Sequence, residues 1–381
     1  MRIRYGKHSI NETDIKSIEN VLRNDYLTQG KHVKKFENAL KIKFGSRYCS
    51  SLSSGTAALH LGVMALSLPK NSKIITTPLT FVATANSIIL NNLKPELVDI
   101  DLTTYTIDVN KLEHKLKKDN KIKAVIAVDY AGNICDWKSL NFLARKYNIK
   151  LINDNCHAIG SMYNDSIKYA SQFADVVTQS YHPVKAITTA EGGSILTNNK
   201  KIYENISLLK NNGIIRNKNL SKKFGAWFYS IKKLGYNYRL SDIQCALGIS
   251  QLKRLNQFIL ARRKIAKIYD KAFSNIDKLQ IPKVREKCYH SYHLYPLLID
   301  FKKTRINKKK FFAKLQSNGI YTQVHYLPIH YHEYYKKKFN FKKGDFPNSE
   351  DFYNKEMSLP IYPLLKKKYV FKVIDNIIKN L

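Results

Sequence analysis

Apolar residues recur every three or four positions over residues 12–24 and 32–43, and again from Ala57 to Leu68 just after Ser54-Gly55-Thr56. That spacing lays one apolar stripe along a helix, so amphipathic helices are predicted there. Short β-branched runs then take over at Lys73–Thr77, Leu97–Ile100, Ala124–Val128, Leu151-Ile152 and Val176–Thr178, with helical stretches such as Leu140–Tyr147 between several of them. Strands apolar on consecutive positions are buried on both faces, and their alternation with helices predicts a mostly parallel sheet covered on both sides. A long helical pattern runs from about Asp242 to Phe273, with Ser241 placed as its N-cap. A strand at His293–Ile299, a helix at Lys308–Ser317 and a closing helix at Tyr369–Leu381 follow. The expected architecture is α/β: a large domain over residues 1–250 with a mostly parallel, mixed sheet, and a smaller C-terminal α/β domain over 251–381.

Composition changes this picture little. With 381 residues and 44% hydrophobic content the chain can bury a core despite a formal charge of +36. The lysines recur throughout, as at Lys117-Lys118, Lys222-Lys223, Lys308-Lys309-Lys310 and Lys366-Lys367-Lys368. A nucleic-acid binder concentrates them on one face, so solvated decoration is the expected reading, with an anionic partner, as small as a phosphorylated metabolite, as the other. Five scattered cysteines without a C-x-x-C pair suggest reduced packing thiols. No apolar run reaches the roughly 20 residues of a membrane span, and the first residues lack a secretory apolar stretch, so a cytoplasmic protein is expected, with neither membrane nor nucleic acid as partner.

Candidate chemistry narrows by elimination. There is no G-x-x-x-x-G-K-[ST], no G-x-G-x-x-G and no H-E-x-x-H; His332-Glu333-Tyr334-Tyr335-Lys336 has lysine where a second ligand belongs. His325, His330 and His332 lack an acidic or thiol set to complete a metal site, so no metal is expected. What remains surrounds Lys185, which follows a predicted strand and precedes Glu191-Gly192-Gly193. Ser54-Gly55-Thr56 stands at a helix start, where free N–H groups hold phosphate. Asp154 and Ser180 end two other strands, and ligand crevices in open parallel sheets lie beyond such ends. A phosphate cradle, a carboxylate and a reactive lysine are together what pyridoxal 5′-phosphate (PLP) requires: a Schiff-base lysine and an acid that keeps the ring nitrogen protonated. Phe81 is placed to cover the ring.

Five ordered blocks carry a resemblance: Ser54-Gly55-Thr56-Ala57-Ala58-Leu59, Thr77–Thr84, Asp154-Asn155-Cys156-His157-Ala158, His182-Pro183-Val184-Lys185 with Glu191-Gly192-Gly193, and Gly235-Tyr236-Asn237-Tyr238-Arg239. Together they resemble the DegT/StrS family of PLP-dependent sugar-nucleotide aminotransferases, from Tyr26 to Pro363. The His-Pro-Val-Lys segment, Ile187-Thr188-Thr189 and Val324–His330 are most similar to the branch acting in pseudaminic acid biosynthesis. The resemblance implies a fold-type I, aspartate aminotransferase-like transferase that aminates C4 of a UDP-linked 4-keto-6-deoxy-N-acetyl hexose, usually with L-glutamate as donor.

Carried over by motif, the resemblance makes Lys185 the Schiff-base lysine and Asp154 the partner of the pyridine nitrogen. Phe81 stacks on the ring, His157 lies near the phenolic oxygen, and Gly55, Thr56 and Ser180 hold the phosphate. Asn237 reaches the phosphate of a neighbouring subunit, which implies a homodimer with shared active sites. Tyr5, Tyr26, Leu27, Thr28, Gln29, His325 and Tyr326 resemble the parts that meet the nucleotide sugar. Departures occur at Ser53, Asp129, Asn133, Asn153 and Ala190, where the family more often has asparagine, histidine, glutamine, an acid and glycine. They bear on sugar choice more than on reaction type. Another nucleotide keto sugar, UDP- or dTDP-linked, is the alternative substrate, and nucleic-acid binding the remote alternative function.

Overall fold

The computed structural model describes residues 2–381. Seven strands form its central sheet: β1 (Tyr48–Leu52), β2 (Lys73–Thr76), β3 (Lys94–Leu97), β4 (Ile122–Val128), β5 (Lys150–Asp154), β6 (Val176–Ser180) and β7 (Gly193–Thr197). Their order is β1-β7-β6-β5-β4-β2-β3, and of the seven only β7 runs against its neighbours. Successive side chains alternate between faces. Ile74, Ala124, Ile126, Ile152, Val176 and Ile195 pack on one side with the helices Gly55–Ala65, Val82–Leu90 and Lys200–Leu209. Ile75, Val125, Ala127, Leu151, Val177 and Leu196 pack on the other with Lys31–Phe44 and Trp137–Lys146. Each isoleucine, leucine or valine among them contributes about 1.5–3 kcal/mol when fully buried, so both faces are held by dispersed apolar contact. The carboxyl ends of β1, β2, β4, β5 and β6 consequently share one edge.

Three expectations need correction. The run Leu97–Ile100 is not the strand; β3 ends where that run begins, and Val98 continues as an extended segment toward a bridge between Ile100 and Ile107. Pro95 fits β3 because this is an edge strand, whose outer N–H groups need no partner. The helical pattern from Asp242 to Phe273 is two helices, Asp242–Lys253 and Leu255–Phe273, joined at Arg254 (φ −97°, ψ 1°). No glycine or proline breaks it. The Arg254 guanidinium is drawn instead onto the buried Asp14 carboxylate and the Ser9 carbonyl. Finally, the closing helix spans Lys367–Lys379. Ser241 does cap its helix, sharing a capping box with Gln244.

The C-terminal part is built on an antiparallel sheet of β8 (Leu279–Gln280), β9 (Tyr295–Ile299) and β10 (Glu356–Leu359), with β9 in the middle. Its core draws on Ile265, Phe273, Phe311, Val373 and Ile377, and on Ile3 from the other end of the chain. Ile3–Arg4 pairs in parallel with Ile320–Tyr321. The central core meanwhile reaches Phe258 and Ile259. We propose on this packing that the chain divides into two units inside the helix Leu255–Phe273, with the N-terminal strand belonging to the smaller one. Among the described residues no helix is long and apolar enough to cross a membrane.

Candidate active site

A cavity of about 560 Å³ opens at the carboxyl edge of the central sheet, within the roughly 300–1,000 Å³ usual for small-molecule sites. The structure brings Gly55, Thr56, Phe81, Asp154, His157, Ser180, Lys185, Tyr5, His325 and Tyr326 to its walls. Tyr26, Leu27, Thr28, Gln29 and Asn237 do not line it and are exposed. The Tyr26–Gln29 loop is nonetheless fixed: Leu27 accepts the Asp242 N–H at 2.9 Å, and the Asp242 carboxylate accepts the N–H groups of Gly30 and His32 at 2.7 and 2.8 Å.

At one end of the cavity the helix Gly55–Ala65 begins, capped by Ser54 Oγ, which accepts the Ala57 N–H at 3.0 Å. Capping leaves earlier N–H groups of the first turn without intrahelical partners, aimed along the positive end of the helix dipole. A Cβ on Gly55 would stand 2.6 Å from Ser180 Cβ and 2.9 Å from Ser180 Oγ. Glycine therefore lets the helix start approach the end of β6.

Asp154, at the end of β5, is almost fully buried. Its Oδ2 accepts the Thr84 hydroxyl at 2.8 Å, Thr84 and Thr80 are bonded at 2.8 Å, and its Oδ1 accepts the Cys156 N–H at 3.2 Å. Among the described residues no cation forms an ion pair with it. Thr84 carries a role that sequence reasoning missed. The signal was present: Thr80 and Thr84 stand four apart, on one face of the turn that starts the helix Val82–Leu90. Phe81, at the N-cap of that helix, is 53% exposed, with its ring 5.7 Å from that of Tyr326.

Lys185 stands in the loop after β6, where its N–H donates to the His182 carbonyl at 2.9 Å. Burial lowers its ammonium pKa, and the nearby Asp154 charge opposes that shift. His157 is buried, and burial, reinforced by Lys185 and His325, holds it well below the usual imidazole range. Its Nδ1 accepts the Ala131 N–H at 3.3 Å, so the proton of the neutral ring lies on Nε2 and is donated to Tyr326 Oη at 2.9 Å. His293, also in the wall, has its ring 4.4 Å from that of His157 and a buried Nδ1 with no partner. Neither His293 nor Glu191, which also reaches the cavity, was singled out as a site residue from sequence.

Of the residues that depart from the family pattern, two prove to be partners. Asn153 Nδ2 donates to Asp129 Oδ2 at 3.0 Å, joined there by Asn155 and Tyr169, while Oδ1 accepts the Cys135 N–H and the Trp137 indole N–H. The buried carboxylate has five donors and sits behind the strand end that presents Asp154 to the cavity. Asn133 ties this region to the smaller unit, donating to Thr104 and Lys283 carbonyls and accepting the Arg285 N–H. His330 pairs with Glu350 at 2.9 Å and His325 with Ser358 at 2.9 Å, so the three C-terminal histidines do not gather into one group.

A doubly covered α/β sheet with a lysine, a buried carboxylate and a helix start on one edge defines a fold-type I, PLP-dependent aminotransferase. Residues 8–378 match the DegT/DnrJ/EryC1/StrS aminotransferase family, and the chain belongs to it. It is 39% identical over 367 residues to the UDP-4-amino-4,6-dideoxy-N-acetyl-beta-L-altrosamine transaminase of Campylobacter jejuni, covering 96% of this chain and 94% of that one. Among solved structures it is similar to Helicobacter pylori PseC, an aminotransferase involved in pseudoaminic acid biosynthesis (TM-score 0.92, 32% identity, 100% and 99% of the two chains). It is also similar to Spr1654 of Streptococcus pneumoniae in its PLP form (TM-score 0.90, 26% identity, all of both chains). The residues present fit that cofactor. The close approach that Gly55 allows sets the free N–H groups of the helix start beside Ser180, a donor set that suits a phosphate. The buried Asp154 carboxylate, without an ion-pair partner among the described residues, suits a cationic ring nitrogen.

Proposed function

We propose that this enzyme transfers the amino group of L-glutamate to C4 of a UDP-linked 4-keto-6-deoxy-N-acetyl hexose, in the cytoplasm, as a step toward pseudaminic acid. The observation that carries the reading is the meeting, in one cavity, of Lys185 and Asp154 from the central sheet with Tyr5 and Gln323–Tyr326 from the smaller unit. The first pair suits amine chemistry on PLP, and the second wall leaves room for a sugar beside it. The whole-length likeness to the Campylobacter jejuni transaminase supports the choice of sugar.

When bound, PLP condenses with amines and withdraws electrons from the adjacent carbon, easing loss of its proton. Gly55, Thr56 and Ser180 hold the phosphate at the helix start, and Phe81 covers the ring face. Asp154, fixed by Thr84 and the Cys156 N–H, keeps the ring nitrogen protonated. Lys185 Nζ, favoured in its neutral form by burial, moves the proton from the donor's α-carbon and in the second half-reaction returns one to C4 of the sugar. His157 directs its Nε2–H through Tyr326 toward the phenolic oxygen. The exposed Asn237 and the Tyr26–Gln29 loop complete the site of a second copy, so the working unit is a homodimer.

The test is incubation of the purified protein with L-glutamate and a set of UDP- and dTDP-linked 4-keto sugars, reading products by mass and NMR. A 4-amino product from the UDP-linked N-acetyl sugar is expected. Preference for a dTDP-linked or non-acetylated sugar would overturn the substrate, and no amination of any sugar would overturn the reading as a whole.

A further inference from the structure

Behind the sugar-facing wall, the C-terminal sheet contributes a hydrogen-bond chain that the reaction outlined above does not use. Glu356 and Ser358 lie on β10, both completely buried. Glu356 Oε2 accepts the backbone N–H of His325 at 3.0 Å, and its Oε1 accepts the Ser358 hydroxyl at 2.5 Å. Ser358 Oγ lies 2.9 Å from His325 Nδ1. The Tyr130 hydroxyl holds the His325 carbonyl from the other side.

While Glu356 is ionised, proton counting sets the direction of this chain; burial raises the acid's pKa to about 7, so the count holds above that pH. A serine hydroxyl has one proton; given to a carboxylate, it leaves the oxygen only as an acceptor toward the imidazole. His325 must then carry its proton on Nδ1. Burial, with Lys185 nearby, pushes its pKa down to about 3, so the ring is neutral and Nε2 bears a lone pair. Nε2 has no partner among the described residues, and the ring lines the cavity. Burial raises the pKa of Glu356, against which work the Ser358 hydroxyl, the Lys308 charge and the His325 N–H. Lys308, held by the Tyr353 carbonyl, acts on the acid through its charge without forming an ion pair with it. The remaining groups facing Glu356 are the phenols of Tyr105, Tyr130 and Tyr326, all held neutral by burial.

We propose that Glu356, acting through Ser358, is a positioning residue that fixes the His325 tautomer, so that Nε2 accepts a hydrogen bond from a hydroxyl or amide N–H of the sugar substrate. The inference rests on the reading that the sugar occupies this end of the cavity. It also makes a directional statement about specificity. A substrate lacking that donor leaves the imidazole lone pair buried and unpaired, and is rejected for that reason.

Glu356→Gln inverts the chain without changing its shape. The Gln carbonyl must keep the His325 N–H, so its NH₂ donates to Ser358, whose hydroxyl turns to donate to Nδ1, and the imidazole proton moves to Nε2. In the holoenzyme labelled with ¹⁵N-histidine, at a pH well above the value of about 7 at which Glu356 titrates, with His325→Gln used to assign the signal, wild type is expected as the Nδ1–H tautomer and E356Q as Nε2–H. An Nε2–H wild type overturns the proposal whatever the substrate proves to be, since this readout needs no sugar. In rapid mixing, E356Q should raise KM for the keto sugar roughly 10- to 100-fold, with the L-glutamate half-reaction within about twofold of wild type. Equal losses in both halves would show a merely structural role and overturn it. Ser358→Ala, which leaves Glu356 and its countercharge in place, should give a mixture of tautomers and a loss of roughly 3- to 10-fold in the sugar half alone; an unchanged tautomer there also overturns it.

Discussion

The two ends of the cavity are assembled by different means. At the cofactor end, Gly55, Asp154, Ser180 and Lys185 each stand at or just beyond the carboxyl end of a strand, so the order of the central sheet brings them together. At the end proposed for the sugar, Tyr5 comes from the N-terminal segment and His325 from a loop, held in place by Glu356 and Ser358 of one strand and by Tyr130 from elsewhere in the chain. Topology positions the first set, whereas a buried polar network positions the second. Such a network holds only while every member is satisfied. The cofactor end should therefore govern both half-reactions of a ping-pong enzyme, and the sugar end only the second.

The largest expected effect is at Lys185. Lys185→Ala should reduce turnover by at least about 10³-fold in both directions, measured as glutamate-dependent loss and keto-sugar-dependent recovery of the cofactor absorbance. A variant that cycles many times would remove the lysine from the mechanism. Asp154→Asn comes next, with a loss of about 10²-fold shared by the two halves. A loss confined to the sugar half would break the division between the ends.

These residues also show what was legible in the sequence. Strand ends followed by Asp154, Ser180 and Lys185 could be read because β-branched runs mark strands, and ligands bind beyond strand ends in open α/β sheets. β1 and β7 were not foreseen, since Cys-Ser-Ser and Gly-Ser segments carry little strand preference and are held by pairing across the sheet. The break at Arg254 was hidden because the partner of its guanidinium, Asp14, is 240 residues away. Glu356 and Ser358 were invisible for the same reason: in Glu356-Met357-Ser358-Leu359 nothing announces a partner at His325. Asp129 and Asn153 were visible as separate departures from the family pattern, and only the structure makes them a bonded pair.

A smaller effect sharpens the account of the cofactor end. In the apoprotein, Lys185 should be acylated at lower pH than the surface lysines, because burial favours its unprotonated form and only that form is nucleophilic. The Asp154 charge opposes the shift, so in Asp154→Asn the onset of labelling should move to still lower pH. Peptide mapping after brief acylation across a pH series reads both. Onset together with the surface lysines would mean that the amine is not desolvated, and the cofactor end would lose its electrostatic basis.

The smallest effect expected concerns a residue that belongs to neither end. Ala190 lies between Lys185 and β7 at φ 66°, in the left-handed region where a Cβ is crowded. Its N–H donates to Thr188 Oγ1 at 3.0 Å, and Thr189 Oγ1 donates to the Glu191 carbonyl at 2.7 Å, so the turn is held in this shape from both sides. The same position is the one where the family more often has glycine. Ala190→Gly should remove the crowding without disturbing either bond, stabilising the protein by about 1 kcal/mol in urea unfolding, less the entropy that glycine returns to the unfolded chain. Both half-reactions should stay within about twofold. If stability instead fell while both halves slowed together, the methyl of Ala190 would be bracing the Lys185 loop, and the cofactor end would depend on local packing as well as on the order of its strands.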